Sequence, residues 1–383
     1  MKKNRIFSRV LSGVLALSLS ACGSSSTASS DASADGASDS GTTHLRLIYS
    51  PSLCAAPMYI AIENGYFEEE NLDIEQVTVD AAHVSEAIGA DQVDVGMGLI
   101  GKLLQPIENG LPIKFTTGLH TGCTKLLVPG DSDIKSIADL KGKKIGVPGL
   151  ADAATVVSKR SLSAAGIGVT EQNMEVEFSV YSRNDLPQAL ENGAVDAIAL
   201  GDPTASIAEE QYGLTPLIDT ATDPKYKDEY CCNAFVTSKL AAENPKAAAA
   251  FTRAVQKASQ WVQENPDETA KIIVDKQYVS GDVDFCAQIL KTYNYKPSVQ
   301  GGYDALKLNA EELSKIGVLK EGTDAQKFAD NAYIFFDDVP DAPEASSGPS
   351  ASVSSVSFTE AAEAEENDCC GGKIEKPDTT RKA

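Results

Sequence analysis

The side chains of this chain that could do chemistry are mainly sulfur and imidazole donors. Cys54 lies in one segment, His120 and Cys123 lie in a second, and Cys231-Cys232 lies in a third. Thiolates and an imidazole that converge would bind Zn²⁺, Cu⁺ or a metal complex. Strand alternation turns only one of two adjacent cysteines toward such a site, and we assign Cys232 to it. The alternatives are small buried hydrophobic side chains, or one disulfide between Cys54 and Cys123.

Sequence motifs for covalent catalysis are missing. The chain contains no G-x-S-x-G, H-E-x-x-H or C-x-x-C motif, and only three histidines. A G-x-G-x-x-G pattern at Gly96–Gly101 precedes Lys102, but Leu103 stands where a phosphate-binding loop needs Ser or Thr. We therefore expect no enzyme activity and no cofactor other than a metal ion. Gly98 and Leu99 are predicted to form a ligand-binding loop at the start of a helix.

A further cysteine closes the N-terminal segment. Residues 1–21 combine a basic start, an apolar core too short to span a bilayer, and small residues before Cys22, as in lipoprotein export signals. Residues 22–43 are almost wholly Ser, Ala, Gly, Thr and Asp, which predicts a flexible tether. We therefore expect an extracytoplasmic protein anchored to the bacterial cell membrane by a lipid on Cys22. The alternative is a cleaved secretory signal in which Cys22 is incidental.

Charge and cysteine number narrow the possible partners. The 383-residue chain has a net charge of −22, and loss of the basic export signal makes the mature chain more negative still. Such an acidic surface disfavours nucleic acid and anionic lipid as partners. The cysteines other than Cys22 are odd in number, so at least one thiol is expected to be unpaired in a monomer. Cys369-Cys370 is either a flexible thiol pair or part of an appendage without function.

Apolar patterning predicts alternating strands and helices over the first half of the chain. Leu45 to Tyr49 alternates as a strand, Ala56 to Asn64 is typical of a helix, and Leu72 to Val79 is a second strand. Strands that alternate with short helices predict an α/β fold with mostly parallel sheets. After the strand Tyr230 to Val236 the chain is mostly helical, with an amphipathic helix at Pro245 to Asn265.

A sequence echo predicts two similar lobes. Ala87-Ile88 and Val93-Asp94-Val95 recur 102 residues later as Ala189-Leu190 and Val195-Asp196-Ala197. Each copy is typical of a helix end, a tight turn and a buried strand, although such junctions also look alike by chance. The predicted parts are lobe 1 at 44–128 with 229–339, lobe 2 at 129–228, hinge strands near 126–130 and 226–232, and a disordered tail at 340–383.

Several short motifs occur in a specific order over about residues 45–335. They are Ala56-Pro57-Met58-Tyr59-Ile60-Ala61, Gly65-Tyr66-Phe67, Asn71-Leu72, Val93-Asp94-Val95-Gly96, Asp139 to Pro148, and Gly193-x-Val195-Asp196-Ala197. In this order the chain resembles the substrate-binding lipoproteins of ABC importers, in the branch of nitrate, sulfonate, taurine and thiamine-pyrimidine-precursor binders. The resemblance implies a two-lobed periplasmic-binding-protein fold of type II with a ligand cleft between the lobes.

The resemblance also implies where the site lies, because loops after strands face the cleft in this fold. Asp152 is either a helix cap or a cleft carboxylate that would oppose a free anion. The expected ligand-binding residues are Ser50, Ser52, Cys54, His83, Gly98, Leu99, His120, Thr121, Gly122, Cys123, Asp152, Ala153, Asp202 and Cys232. The expected metal ligands among them are Cys54, His120, Cys123 and Cys232.

The function that the resemblance implies is capture of a small solute by lobe closure in a monomer, followed by delivery to a permease and its ATPase. The expected solutes are a sulfonate, nitrate, a pyrimidine or a metal complex. One alternative is a metal-scavenging or sensory surface lipoprotein. The other is an enzyme similar to the fungal pyrimidine-precursor synthases, whose CCCFC motif is only remotely matched by Cys231-Cys232-Asn233-Ala234-Phe235.

The lipid anchor is tested by Cys22→Ser. Because the predicted anchor is the lipid on this one sulfur, we expect the variant to move from the membrane fraction to the soluble fraction. Fractionation and immunoblotting measure the shift, and Cys286→Ser serves as the control that should stay in the membrane. Unchanged membrane retention of Cys22→Ser would contradict the prediction.

Overall fold

The computed structural model describes residues 41–79 and 83–343. The predicted export signal, Cys22, most of the tether and Cys369-Cys370 lie outside these residues. The first residues of the predicted tail lie within them, and Asp341 accepts hydrogen bonds from Ser298 Oγ at 2.9 Å and Gln300 N at 2.7 Å. Among the helices of the described residues, none combines the length and the apolar character needed to cross a bilayer.

Strands and helices alternate along most of the described chain. The strands are β1 (Thr43–Tyr49), β2 (Leu72–Thr78), β3 (Val95–Leu99), β4 (Ile113–Thr121), β5 (Thr124–Pro129), β6 (Lys144–Val147), β7 (Val169–Thr170), β8 (Asn173–Met174), β9 (Glu177–Val180), β10 (Ala197–Gly201), β11 (Leu214–Asp219) and β12 (Tyr230–Thr237). The helices are α1 (Ala56–Glu63), α2 (Tyr66–Glu69), α3 (Val84–Gly89), α4 (Ile100–Glu108), α5 (Ala153–Ala164), α6 (Leu186–Glu191), α7 (Thr204–Tyr212), α8 (Ser238–Glu243), α9 (Pro245–Glu264), α10 (Pro266–Asp275), α11 (Val283–Thr292), α12 (Val299–Lys315) and α13 (Ala325–Ala332).

Two five-stranded sheets form the framework. The strand order is β2-β1-β3-β12-β4 in the first sheet and β11-β5-β10-β6-β9 in the second. β1 runs parallel to β2 and β3, and β6 runs parallel to β9 and β10. In contrast, β12 is antiparallel to β3 and β4, and β5 is antiparallel to β10 and β11. The sheets are therefore mixed and not mostly parallel. The antiparallel pairs involve the two strands that follow a change of sheet: β5 comes after β4 of the first sheet, and β12 comes after β11 of the second.

The first sheet is stabilised by the long helix α9, whose predicted apolar stripe packs toward α1 and β4. Phe251, Val255, Ala258 and Val262 on this stripe are buried, and Trp261 beside them is 3% exposed. Burial of a large apolar side chain contributes roughly 1.5–3 kcal/mol. The helix therefore fixes the sheet that carries half of the cleft described below.

The sequence echo marks the same local structure in both sheets. Asp91 and Gly193, at equivalent positions of the two copies, both adopt a left-handed backbone with φ of 55° and 69°. Beyond each turn, an aspartate accepts a hydrogen bond from a backbone N–H of the neighbouring parallel strand, at 2.9 Å for Asp94 and 2.8 Å for Asp196. The echo therefore arises from capping contacts that set β3 against β1 and β10 against β6.

The chain crosses between the sheets at two places that touch. The first crossing is Gly122-Cys123, between β4 and β5, and the second is residues 220–229, between β11 and β12. Thr220 Oγ1 accepts hydrogen bonds from the backbone N–H of Cys123 at 3.1 Å and of Thr124 at 2.9 Å. The predicted hinge at 126–130 and the predicted boundary at 128/129 both fall within β5, which already pairs in the second sheet. The first crossing therefore comes a few residues earlier in the chain than predicted.

Gly122 gives a direct test of how tightly the crossings pack. Its φ is +69°, and a Cβ at this position would lie 2.5 Å from Ala221 Cα in the second crossing. We expect Gly122→Ala to lower the free energy of unfolding by about 1 kcal/mol for the left-handed backbone. The collision with the second crossing adds about 1–3 kcal/mol. Urea unfolding measures the difference.

Gly142→Ala is the matched control. Gly142 has a similar φ of +76°, but nothing lies within 4 Å of the position of an added Cβ. Only the backbone cost of about 1 kcal/mol is therefore expected. Equal destabilisation by the two substitutions would show that the crossings do not pack as described.

Candidate ligand cleft and thiol cluster

A cavity of about 200 Å³ lies between the two sheets, on the side where several strands end. The first sheet contributes Ile48 and Met97 to its wall, and the second contributes Thr124 and Gly201. Ten of the predicted ligand-binding residues line it: Ser50, Ser52, Cys54, Gly98, Leu99, Cys123, Asp152, Ala153, Asp202 and Cys232. Loops after strands from both sheets thus meet in one cleft, as in other α/β folds.

Four of the predicted residues lie elsewhere. His83 is exposed just before α3, whose first two residues line the cavity in its place. His120 and Thr121 are buried within β4. Gly122 lines a separate recess beside the first crossing.

β4 is longer than predicted, which explains the position of His120. The apolar pattern predicts a strand over Ile113 to Thr117, which puts His120 in the segment just beyond it. In the structure β4 continues to Thr121 by pairing with β12, and a Cβ on Gly118 would lie 2.4 Å from the ring of Tyr230. Glycine is required here by a close side-chain approach from the neighbouring strand, so it does not end the strand.

Asp152 caps α5 and also lines the cavity. Its Oδ1 accepts a hydrogen bond from Ala154 N at 3.0 Å, and its Oδ2 lies 2.7 Å from Arg183 Nη2. Asp152 is therefore both a helix cap and a carboxylate in the cavity wall. Arg183 itself lines the cavity and was not predicted, although its place in the loop after the strand β9 is the same signal that identified the other residues.

Asp202 places a second carboxyl group in the cavity wall. Its Oδ1 accepts hydrogen bonds from Ser206 N at 2.9 Å and Ser206 Oγ at 2.8 Å. Burial raises the pKa of this carboxyl to about 6, although the nearby Lys125 ammonium and the Ser206 hydrogen bonds favour ionisation. A carboxyl that faces a cavity and changes charge near neutral pH is typical of a ligand-binding group.

A cluster of soft donors lies beside the cavity, and two of its members, Cys123 and Cys232, line it. The ligand atoms of His120, Cys123, Cys231 and Cys232 all lie within 4.8 Å of one another. Cys123 Sγ is 3.2 Å from Cys231 Sγ, which is 3.5 Å from His120 Nδ1. This group, here called the thiol cluster, differs from the predicted metal ligands by one member, because it contains Cys231 and not Cys54.

Both adjacent cysteines reach the cluster because β12 is irregular at this point. Its register against β4 shifts between Tyr230 and Cys232 and again between Cys232 and Asn233. Such bulges break the alternation of side chains along a strand. The expectation that only Cys232 would face the site is therefore wrong.

Hydrogen bonds among the thiols shift the pKa values within the cluster in opposite directions. Burial by itself raises the pKa of Cys231, but hydrogen bonds from the Cys123 and Cys232 thiols lower it below its usual range. The same hydrogen bond raises the pKa of Cys123, and burial raises that of Cys232 well above its usual range. Cys54 and Cys123 are both free thiols, so the alternative of a disulfide between them is not what the structure shows.

Two lobes joined by crossing strands around a ligand-sized cavity define the class of periplasmic binding proteins. The structure is similar to that of the periplasmic aliphatic sulphonate binding protein SsuA from Escherichia coli, with a TM-score of 0.62 and 16% identity over 85% of this chain and 98% of that chain. The predicted resemblance and the predicted periplasmic-binding-protein fold are both confirmed, although the sheets are mixed.

The chain belongs to the NMT1/THI5-like family, whose model matches residues 54–269. It is 27% identical to a Haemophilus influenzae protein named for thiamine biosynthesis, over 57% of this chain and 68% of that protein. It is 22% identical to the formylaminopyrimidine-binding protein of Halalkalibacterium halodurans, over 62% of this chain and 71% of that protein.

The raised pKa of Asp202 predicts a specific pH dependence of stability. The carboxyl binds its proton more tightly in the folded protein, with a pKa of about 6, than in the unfolded chain near 3.8. The stability that protonation confers is therefore lost as pH rises from about 4 to about 6, by about 3 kcal/mol. Relative to wild type, Asp202→Asn should gain stability over this range, measured by urea unfolding between pH 4 and pH 7.

Asp94→Asn is a control of opposite sign. Although burial opposes ionisation, hydrogen bonds from Arg46 lower the pKa of Asp94, so this carboxylate stabilises the fold above its ordinary pKa. The variant should be less stable than wild type at pH 7 and approach it as pH falls below about 4. Stability curves of Asp202→Asn and wild type that stay parallel would contradict the assignment for Asp202.

Proposed function

We propose that this chain is the lipid-anchored solute-binding component of an ABC importer, and that its cleft takes a small neutral or cationic nitrogen heterocycle of the aminopyrimidine kind. The observation that carries this proposal is the Asp202 carboxyl in a cavity lined from both sheets. A ligand that contacts both walls would favour the closed arrangement of the lobes by its differential affinity. The protein would act as a monomer and deliver the solute to a permease.

The charges around the cavity support a ligand with hydrogen-bond donors. Arg183 is already paired with Asp152, so their charges offset each other. Lys102 and the partly or fully ionised Asp202 also line the cavity, so the wall has no excess of positive charge to attract a free nitrate or sulfonate. An aminopyrimidine presents an N–H beside a ring nitrogen that can be protonated, which matches the two oxygens of a carboxylate.

The size and the apolar part of the cavity fit the same class of ligand. Ile48, Met97 and Leu99 line it beside the polar groups, and about 200 Å³ accommodates one small ring with short substituents. The Halalkalibacterium halodurans relative is named for binding formylaminopyrimidine, which supports this ligand class for the present chain. We favour binding over catalysis because that relative and the E. coli structure are both named as binding proteins.

Isothermal titration calorimetry tests the ligand class. The soluble Cys22→Ser protein, reduced and metal-free, is titrated with formylaminopyrimidine, taurine and nitrate, and only the pyrimidine is expected to bind. Asp202→Asn should weaken that binding about 10- to 100-fold, because a hydrogen bond to a charged group contributes about 1.5–3 kcal/mol.

Asp196→Asn is the matched control, because Asp196 caps β6 and does not line the cavity. It should leave the affinity unchanged. Binding of taurine or nitrate without the pyrimidine, or an unchanged affinity in Asp202→Asn, would overturn the proposed ligand class.

A further inference from the structure

We propose that His120, Cys123, Cys231 and Cys232 form a four-coordinate Zn²⁺ site at the point where the chain crosses between the two sheets. The set contains three sulfurs and one imidazole nitrogen, which is a standard donor set of tetrahedral zinc. Hard ions such as Mg²⁺ and Ca²⁺ prefer oxygen ligands and are excluded by these donors. The site is separate from the Asp202 carboxyl on which the proposed solute site depends.

The distances are close to those of a zinc site. Bonds of about 2.3 Å to sulfur place the corners of a tetrahedron about 3.8 Å apart. The sulfurs of Cys123 and Cys231 are 3.2 Å apart, Cys231 Sγ and His120 Nδ1 are 3.5 Å apart, and no pair in the group exceeds 4.8 Å. Sub-ångström shifts of the side chains would bring all four donors onto one ion.

The surroundings of His120 hold its ring in place. Its ring stacks on that of Tyr293, with the ring centroids 5.3 Å apart. The centroid of the tilted Tyr295 ring lies 5.0 Å from that of His120. The residue is fully buried, and among the described residues its Nε2 has no hydrogen-bond partner. Nδ1 faces the backbone oxygen of Thr121 at 3.3 Å as well as Cys231, so metal binding would replace a weak hydrogen bond by a coordinate bond.

The site also has an entry path and a structural consequence. Cys123 and Cys232 line the cavity, so an ion that enters the cleft meets two of the ligands directly. Cys123 belongs to the first crossing, whereas Cys231 and Cys232 begin the strand that follows the second. One ion would therefore connect both crossings and restrict the hinge between the lobes.

Cobalt substitution tests the site. The reduced protein is prepared without oxygen in a Cys22→Ser/Cys369→Ser/Cys370→Ser background, because the tail cysteines could bind metal themselves. One equivalent of Co²⁺ is expected to give a thiolate-to-cobalt charge-transfer band and the intense visible bands of tetrahedral cobalt, and Zn²⁺ should displace it. Cys231→Ser should weaken binding more than about 100-fold, since even the loss of an outer hydrogen-bond partner costs 10- to 100-fold.

Cys286→Ser is the matched control, because Cys286 is a buried free cysteine of α11 outside the cluster. It should bind cobalt like the parent protein. Equal losses in Cys286→Ser and Cys231→Ser would overturn the proposal, as would octahedral cobalt spectra or no binding by fully reduced protein.

Two measurements on the unsubstituted cluster do not depend on whether a variant folds. Zn²⁺ should protect the partly exposed Cys231 from alkylation, mapped by mass spectrometry, and leave Cys54 reactive. It should also slow hydrogen exchange at the Cys123 and Thr124 amides of the first crossing. Protection of Cys54 alone, or no change at any of these positions, would overturn the proposal. The alkylation and exchange results do not affect the calorimetry of the metal-free protein with a pyrimidine. The zinc site and the solute site can therefore be contradicted separately.

Discussion

The contact between the two chain crossings is the constraint on which the cleft depends. Thr220 accepts hydrogen bonds from the amides of Cys123 and Thr124. Gly122 has no Cβ, and this lets Ala221 of the second crossing pack directly against it. Because both crossings are fixed at this one place, the sheets face each other across a cavity that Cys123 of the first crossing lines. Side chains that are far apart in sequence, including the thiol cluster, are adjacent for the same reason.

A buried polar network around Arg160 supports this arrangement. Arg160 of α5, a helix that packs on the second sheet, binds the carboxylate of Glu229 with contacts of 2.6 and 2.8 Å. It also binds Asn309 and Glu312 of α12, which packs on the first sheet. Removing one member of such a buried ion pair costs about 3–5 kcal/mol. The network therefore links both lobes to the second crossing.

Sequence patterns predicted what depends on local interactions and missed what depends on pairing between distant segments. The echo around Asp94 and Asp196 was readable because each copy, a helix end, a turn and the start of a strand, lies within one short stretch of sequence. The position of His120 was not, because β4 is prolonged by pairing with β12 and with Asn294 and Ser298, all more than a hundred residues later. The presence of Cys231 in the cluster depends on bulges in that same pairing. The cleft loops were predicted, since polar residues after strands meet at one edge in any α/β sheet.

We propose that the two lobes close on a solute bound between them by moving about the paired crossings. Small-angle X-ray scattering, with and without a solute first identified by thermal shift, tests this closure. We expect the radius of gyration to decrease by a few per cent on binding, because the lobes rotate as rigid bodies toward each other. A solute that binds in calorimetry and leaves the scattering curve unchanged would contradict it.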